Sequence, residues 1–313
     1  MKKLSFLLFT LFLPLFIYAD AYKSKVASFL ELEKIVNKIN KPTSTLVVMD
    51  DDDTLTMMQC NKSKGDESCQ YLGGPAWYDW QDDLLENYLN NKKDSKYRVA
   101  DSQEELLKIS TLLFNLNNMP YTDKNIPNIL TNLSKKGVRL LVETARGSNN
   151  LSATTAQFSN LTTKNGTFIH LIENNSLKYG KNSLSSLASP FLPCNLEKSR
   201  AVSYQRGVMY LSGQNKGVML KCMLSTYKNS PSYKKIDNIV FIDDTLGNVT
   251  DVYNAFKDDK EYKVHAFHYT AFDKHKNALT KGDKKEIYQE QAYKRWLEIE
   301  KVIKSNLLDS TLK

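Results

Sequence analysis

Apolar positions in this chain follow two rhythms. Thr45-Leu46-Val47-Val48-Met49 is a short unbroken run rich in β-branched residues, with Pro42 before it and acids after it. Such a run predicts a strand buried on both faces. Val138–Val142, Gly207–Leu211, Asn238–Ile242 and Tyr262–Phe267 predict four more. Elsewhere apolar residues recur three and four apart. Val26, Phe29, Leu32, Val36 and Ile39 predict a first helix, and Tyr288, Ala292, Trp296, Ile299 and Ile303 a long last one. Further helices are expected at 81–91, from Ser102 (where Ser102 and Glu105 make a capping box), and at 127–137, 151–161, 216–227 and 248–257. Residues 183–200, with Pro190 and Pro193, read as loop. Strands alternating with helices predict an α/β protein with a mostly parallel five-stranded sheet covered on both faces. In such sheets the chemistry sits beyond the carboxyl ends of the strands.

The first residues stand outside this pattern. Met1-Lys2-Lys3 is a basic start, Leu4 to Tyr18 is nearly continuous apolar sequence, and Ala19-Asp20-Ala21 is a small-x-small cleavage pattern. Residues 1–21 therefore read as a signal peptide. The apolar run is about fifteen residues, short of the ~20 that a membrane span needs. The mature chain, 22–313, is expected to be periplasmic or secreted from a bacterium, with no membrane association after cleavage. Its composition, 41% hydrophobic and 25% charged over 313 residues, is that of an ordinary globular protein and excludes wholesale disorder. The net charge of +8 falls by a single unit once Lys2, Lys3 and Asp20 are removed. The lysines are spread along the chain without a basic run interleaved with aromatics. The charge is read as steering and solubility, and no nucleic-acid partner is expected. Cys60, Cys69, Cys194 and Cys222 permit three disulfide pairings. The short polar loop between Cys60 and Cys69 favours that bridge, which leaves Cys194–Cys222. Zinc is the weaker alternative, because no Cys-x-x-Cys pair or His cluster accompanies them.

The ends of four expected strands carry the polar signatures. The first runs into Asp50-Asp51-Asp52-Asp53-Thr54, and so many adjacent carboxylates raise one another's pKa unless a cation is present. Asp50 and Asp52 would share a face in an extended stretch. A solvated acidic loop or a calcium loop is the plainer alternative. The second strand ends Glu143-Thr144-Ala145-Arg146-Gly147, where Thr144 taken alone reads as a helix cap. The third is followed by Lys216, which opens the next helix and gains nothing from its dipole. The fourth ends Asp243-Asp244-Thr245. Two acidic clusters on neighbouring strands make an oxygen-rich pocket suited to a hard cation such as Mg²⁺.

These motifs in this order resemble the haloacid dehalogenase-like superfamily, whose first motif is an apolar strand followed by Asp-x-Asp-x-Thr. Only Asp50, Asp52 and Thr54 fit that register: starting at Asp51 puts Leu55 where the hydroxyl belongs, and starting at Asp52 puts Thr54 where the second acid belongs. Thr144 matches the second motif and Lys216 the third, with Lys221 as the fallback across a long gap. Asp243-Asp244 with Asn248 matches the acidic fourth. The leader, the segment Gly74-Pro75-Ala76-Trp77-Tyr78-Asp79-Trp80 and Thr144-Ala145-Arg146 narrow the resemblance to a family of secreted bacterial proteins in that superfamily, of unassigned substrate. A weaker likeness is to its periplasmic acid phosphatases. Asp53 departs from the pattern, standing where Gly is common.

The resemblance implies a Rossmann-like core within 22–313 and a helical cap inserted at about 57–125. It implies a Mg²⁺-dependent phosphatase of small phosphate monoesters that works through an aspartyl-phosphate. Asp50 would be the nucleophile and Asp52 the acid and base, with Thr144 and Lys216 holding the phosphoryl group. Asp50, the Asp52 backbone carbonyl and Asp243 would hold the metal, with Asp244 or Asn248 in support. Arg146, Trp77, Tyr78 and Trp80 are candidate substrate contacts, although the aromatic trio fits a small satellite core equally well. Phosphotransfer, action on phosphoproteins and a catalytically silent secreted binding protein are the alternatives. Intact acids at Asp50, Asp52 and Asp243 weigh against silence.

Overall fold

Successive side chains of a strand point to opposite faces, and here both faces are apolar. Leu46, Val48, Leu141, Ile239 and Phe241 enter one core layer, while Val47, Met49, Leu140, Val142, Val240 and Ile242 enter the other. A sheet of this kind is stable only with helices on each side. The computed structural model describes residues 21–59, 71–192, 194 and 199–307 and has that arrangement. In chain order its elements are β1 (Tyr22–Val26), α1 (Phe29–Val36), β2 (Thr45–Met49), α2 (Pro75–Asn91), α3 (Gln103–Leu116), α4 (Ile126–Lys135) and β3 (Arg139–Thr144). There follow α5 (Leu151–Asn160), the small hairpin β4 (Thr162–Thr163) and β5 (Gly166–Thr167), α6 (Phe168–Asn175), β6 (Ser203–Gln205), β7 (Val208–Tyr210) and α7 (Lys216–Lys228). The chain closes with β8 (Asn238–Asp243), α8 (Leu246–Phe256), β9 (Lys263–Tyr269), α9 (Asp273–Thr280) and α10 (Lys285–Asn306).

The central sheet has the order β1-β9-β8-β2-β3-β7-β6 and is parallel except for β6, which runs against β7. Helices α1, α4, α5 and α6 cover one face, and α7 and α8 the other. The pattern predicted five strands and the sheet has seven, because both edges are polar or short. β1 carries Lys23 and Lys25 in mostly exposed positions, the charged style of edge that blocks further pairing. Val26 therefore ends a strand instead of starting a helix. The helix begins after Ser28, whose hydroxyl accepts the Glu31 N–H at 3.3 Å while Glu31 accepts the Ala27 N–H at 2.8 Å.

α2 starts at Pro75, well before the expected Gln81, because Pro75 stands in the first turn behind Gly74. The aromatic segment is thus helical. Trp77, Trp80, Leu85, Leu106, Ile109 and Leu113 of α2 and α3 form a satellite core with Leu279, Tyr288, Ala292 and Trp296 of α9 and α10. The segment between β2 and α4 and the C-terminal helices thus share one core.

No helix among the described residues is long and apolar enough to cross a membrane. The expected leader and the Cys60–Cys69 bridge lie outside the described residues. Cys194 and Cys222 form a disulfide that spans 28 positions and ties position 194 to α7. Closing a loop of that length removes chain entropy worth roughly 3–4 kcal/mol from the unfolded state. Replacing both cysteines by Ser is expected to lower the unfolding free energy in urea by that amount. An unchanged midpoint would mean that the bridge adds no constraint.

Candidate active site

The order of the sheet sets where a site can form. β2 is central, with β3 and β7 on one side and β8 and β9 on the other, so its carboxyl end opens on the crevice where the winding reverses. Met49 pairs with Val142 and with Ile242. One residue further the same register lines up Asp50, Glu143 and Asp243. Continuing the alternation Leu46, Val48 and Ile239, Phe241 brings Asp50 and Asp243 to the α7–α8 side.

Lys216, the first residue of α7, meets them there. Its ammonium donates to Asp50 Oδ1 and, at 2.6 Å, to Asp243 Oδ2, and its side chain is 2% exposed. Lys216 thus stands with these two acids, whereas Lys221 donates to the Ala255 carbonyl at the surface. Gly217 lets α7 approach so closely that a Cβ there would collide with the Asp251 carbonyl of α8. Asn248 donates to both oxygens of Asp243 at 3.1 Å and the Thr245 N–H donates at 2.8 Å, so that carboxylate cannot turn. Thr54 takes the Asp244 N–H at 3.0 Å, with its hydroxyl 3.5 Å from Asp50 Oδ2 and 3.4 Å from Asp244 Oδ1.

Asp50, Asp243 and Asp244 each present an oxygen within 4.8 Å of the others, and all three are buried. Burial raises the Asp50 carboxyl well above its ordinary range; Lys216 opposes this, and Asp243 and Asp244 add to it. Lys216 is itself raised, its carboxylate partners outweighing the burial. Lys216, with the Lys276 ammonium that reaches Asp244, leaves the three carboxylates one charge short of balance, and hard oxygens at this spacing suit a divalent cation.

Asp52 lies outside that trio. Its carboxylate turns to Arg146, which grips it with Nε at 2.8 Å and Nη2 at 2.6 Å. Asp51 is wholly buried, accepts from Thr56 at 2.7 Å and lies 3.3 Å from Arg146 Nη1; burial pushes it up to about 6. Asp53 adopts a left-handed backbone (φ 58°), where the resemblance places Gly, and burial and Asp244 raise its carboxyl. Thr144 closes β3 with its hydroxyl accepting the Arg146 N–H at 3.2 Å. Trp77 and Trp80 are packed inside the satellite core and present no surface to a ligand. Tyr78 is half-buried and its hydroxyl accepts from Gln103 at 2.7 Å.

Sequence reasoning passed over four members of this region. Lys276 of α9 pairs with Asp244 Oδ2, and the neighbouring carboxylates outweigh burial to lift it to about 12. Asp79 of α2 faces Lys276 and Asp244, and burial pushes it up to about 6. His268 sits with Nε2 3.0 Å from the Asp244 carbonyl. Nothing in the pattern announces Lys276, which stands on a short, mostly polar helix. Glu143 does carry a signal: a charged residue inside an apolar strand, completely buried, with neither oxygen hydrogen-bonded among the described residues.

Burial pushes the Glu143 carboxyl from its ordinary 4.5 up to about 8, against the pull of Lys216. Between those values the folded protein binds a proton that the unfolded chain releases, so stability falls as pH rises through the window. Glu143→Gln removes that proton uptake. The variant's unfolding free energy, relative to the wild type, is expected to grow from about pH 4.5 to about 8 and then level off. Parallel pH curves from urea titrations would refute it.

No curated protein matches the chain. The structure bears a distant likeness to a cytosolic 5′-nucleotidase IIIB bound to cytidine, at 14% identity and a TM-score of 0.30, covering 86% of this chain and 92% of that one. Residues 28–309 match the family described as protein of unknown function (DUF2608), and the chain belongs to that family.

Proposed function

We propose that the protein is a Mg²⁺-dependent phosphatase of the haloacid dehalogenase-like type, acting on small phosphate monoesters through an aspartyl-phosphate on Asp50. The observation that carries this reading is the buried Lys216 bridging Asp50 and Asp243 at the carboxyl end of the central strand. A structural salt bridge needs one carboxylate, whereas this ammonium bridges two, on neighbouring strands at the point where the winding of the sheet reverses.

Asp50 attacks the phosphorus as the ester oxygen leaves, and water later cleaves the acyl phosphate, so one hard displacement becomes two easier ones. Lys216 neutralises the nucleophile and the incoming phosphoryl oxygens. Thr144, at the end of β3, supplies a hydroxyl for one of those oxygens. Asp52 transfers the proton between the enzyme and the leaving or attacking oxygen. Asp50, Asp243, Asp244 and the Asp52 backbone carbonyl would hold Mg²⁺, oriented by Asn248. When bound, such a cation screens the repulsion between an anionic nucleophile and an anionic phosphate. Of the aromatic segment, Tyr78 is the residue left to face a substrate. The Cys194–Cys222 disulfide supports an oxidising, extracytoplasmic location.

Hydrolysis of para-nitrophenyl phosphate is expected with Mg²⁺ and not with EDTA. Asp50→Asn is expected to reduce kcat by at least about 10³-fold while the protein stays folded. Undiminished turnover in the variant would rule out the aspartyl-phosphate route. Absence of turnover by the wild type on this and on a panel of natural esters would move the protein to the silent binding class.

A further inference from the structure

Arg146 has two conceivable partners in a phosphatase, the substrate phosphate and the acid Asp52, and its donors can be counted against them. A guanidinium offers five N–H groups and no acceptor. Nε donates to Asp52 Oδ2 at 2.8 Å, and Nη2 donates to Asp52 Oδ1 at 2.6 Å and to Met119 Sδ at 3.2 Å. Nη1 donates to Thr154 Oγ1 and to Gln157 Oε1, both at 2.8 Å. All five are taken. Asp51 Oδ2 lies 3.3 Å from Nη1, the Phe114 ring covers the guanidinium carbon at 4.2 Å, and the residue is 5% exposed.

The frame around the guanidinium is itself anchored. Gln157 donates its amide to the Phe114 carbonyl at 2.8 Å, and Thr154 donates its hydroxyl to the Asn150 carbonyl at 3.0 Å. By contrast Asp52 sits on a turn beside the left-handed Asp53, with charged neighbours on either side. Among the described residues, Arg146 alone fixes both of its oxygens. A two-pronged contact of this kind sets direction as well as charge, which a lysine cannot reproduce.

We propose that Arg146 is the positioning residue of Asp52 and not a contact to the substrate phosphate. It aims the group that moves the proton, and a proton-transfer group is effective only within hydrogen-bond reach of its target. The proposal rests on the phosphatase reading above.

The test compares wild type, Arg146→Lys, Asp52→Asn and the double variant, loaded with Mg²⁺, on para-nitrophenyl phosphate. Inhibition by orthophosphate, which needs no proton transfer, is measured beside kcat and KM. Arg146→Lys is expected to lower kcat about 10²-fold, to leave KM and the orthophosphate inhibition constant within about twofold, and to cost little more in the Asp52→Asn background, as coupled residues do. An unchanged kcat, a parallel rise of about tenfold in KM and the inhibition constant, or losses that multiply in the double variant would each overturn it. Gln157→Leu removes one anchor without touching the charge, and gives the same split more weakly if Arg146→Lys folds poorly. A Gln157→Leu enzyme with full kcat also counts against the proposal. Wild-type turnover decides the phosphatase reading separately. Its absence removes both claims, whereas a substrate-type response in an active enzyme removes only this one.

Discussion

A buried ammonium held between carboxylates on adjacent strands is the constraint from which the rest of the site follows. Lys216 is 1% exposed, and an isolated charge at that depth costs many kcal/mol. It is stable there only because Asp50 and Asp243 converge on it. They converge only because β2 and β8 are parallel neighbours in a fixed register. Gly217 completes the arrangement by letting α7 lie close against α8. Sheet order, register and one missing side chain thus bear on a single cation.

Much of this was readable from residue types alone. The apolar runs located the five inner strands, because a strand buried on both faces has no room for polar residues. The acids followed directly, since polarity resumes where those strands end. Lys216 could be chosen over Lys221 on motif order, and the structure separates them by burial. The edge strands were invisible for the converse reason: Tyr22–Val26 is mostly exposed, and Ser203–Gln205 is only three residues long. Arg146 was seen as a basic residue near a phosphate site, but its commitment to Asp52 depends on Thr154, Gln157, Phe114 and Met119, which arrive from α5, α3 and the segment after α3. No spacing along one strand encodes that meeting.

Lys276 and Asp79 show a second limit. They face each other from α9 and α2, almost two hundred positions apart in the chain; Lys276 belongs to no motif, and the aromatic segment that holds Asp79 gives no sign of the lysine it meets. Only the joint packing of the insert with the C-terminal helices puts them over Asp244. A helix that looks like a polar tail in one dimension is part of the roof of the site in three.

That shared packing has a kinematic consequence. A cap made of a single insertion joins its core by two strands of chain and can swing about the line between them, like a door on two hinges. Here the chain leaves the sheet after β2, returns before α4, and crosses to the same body again after β9 through α9 and α10. A third connection removes that free rotation axis wherever it lies off the line joining the first two. A body joined to the sheet in this way is braced where a singly inserted one is hinged.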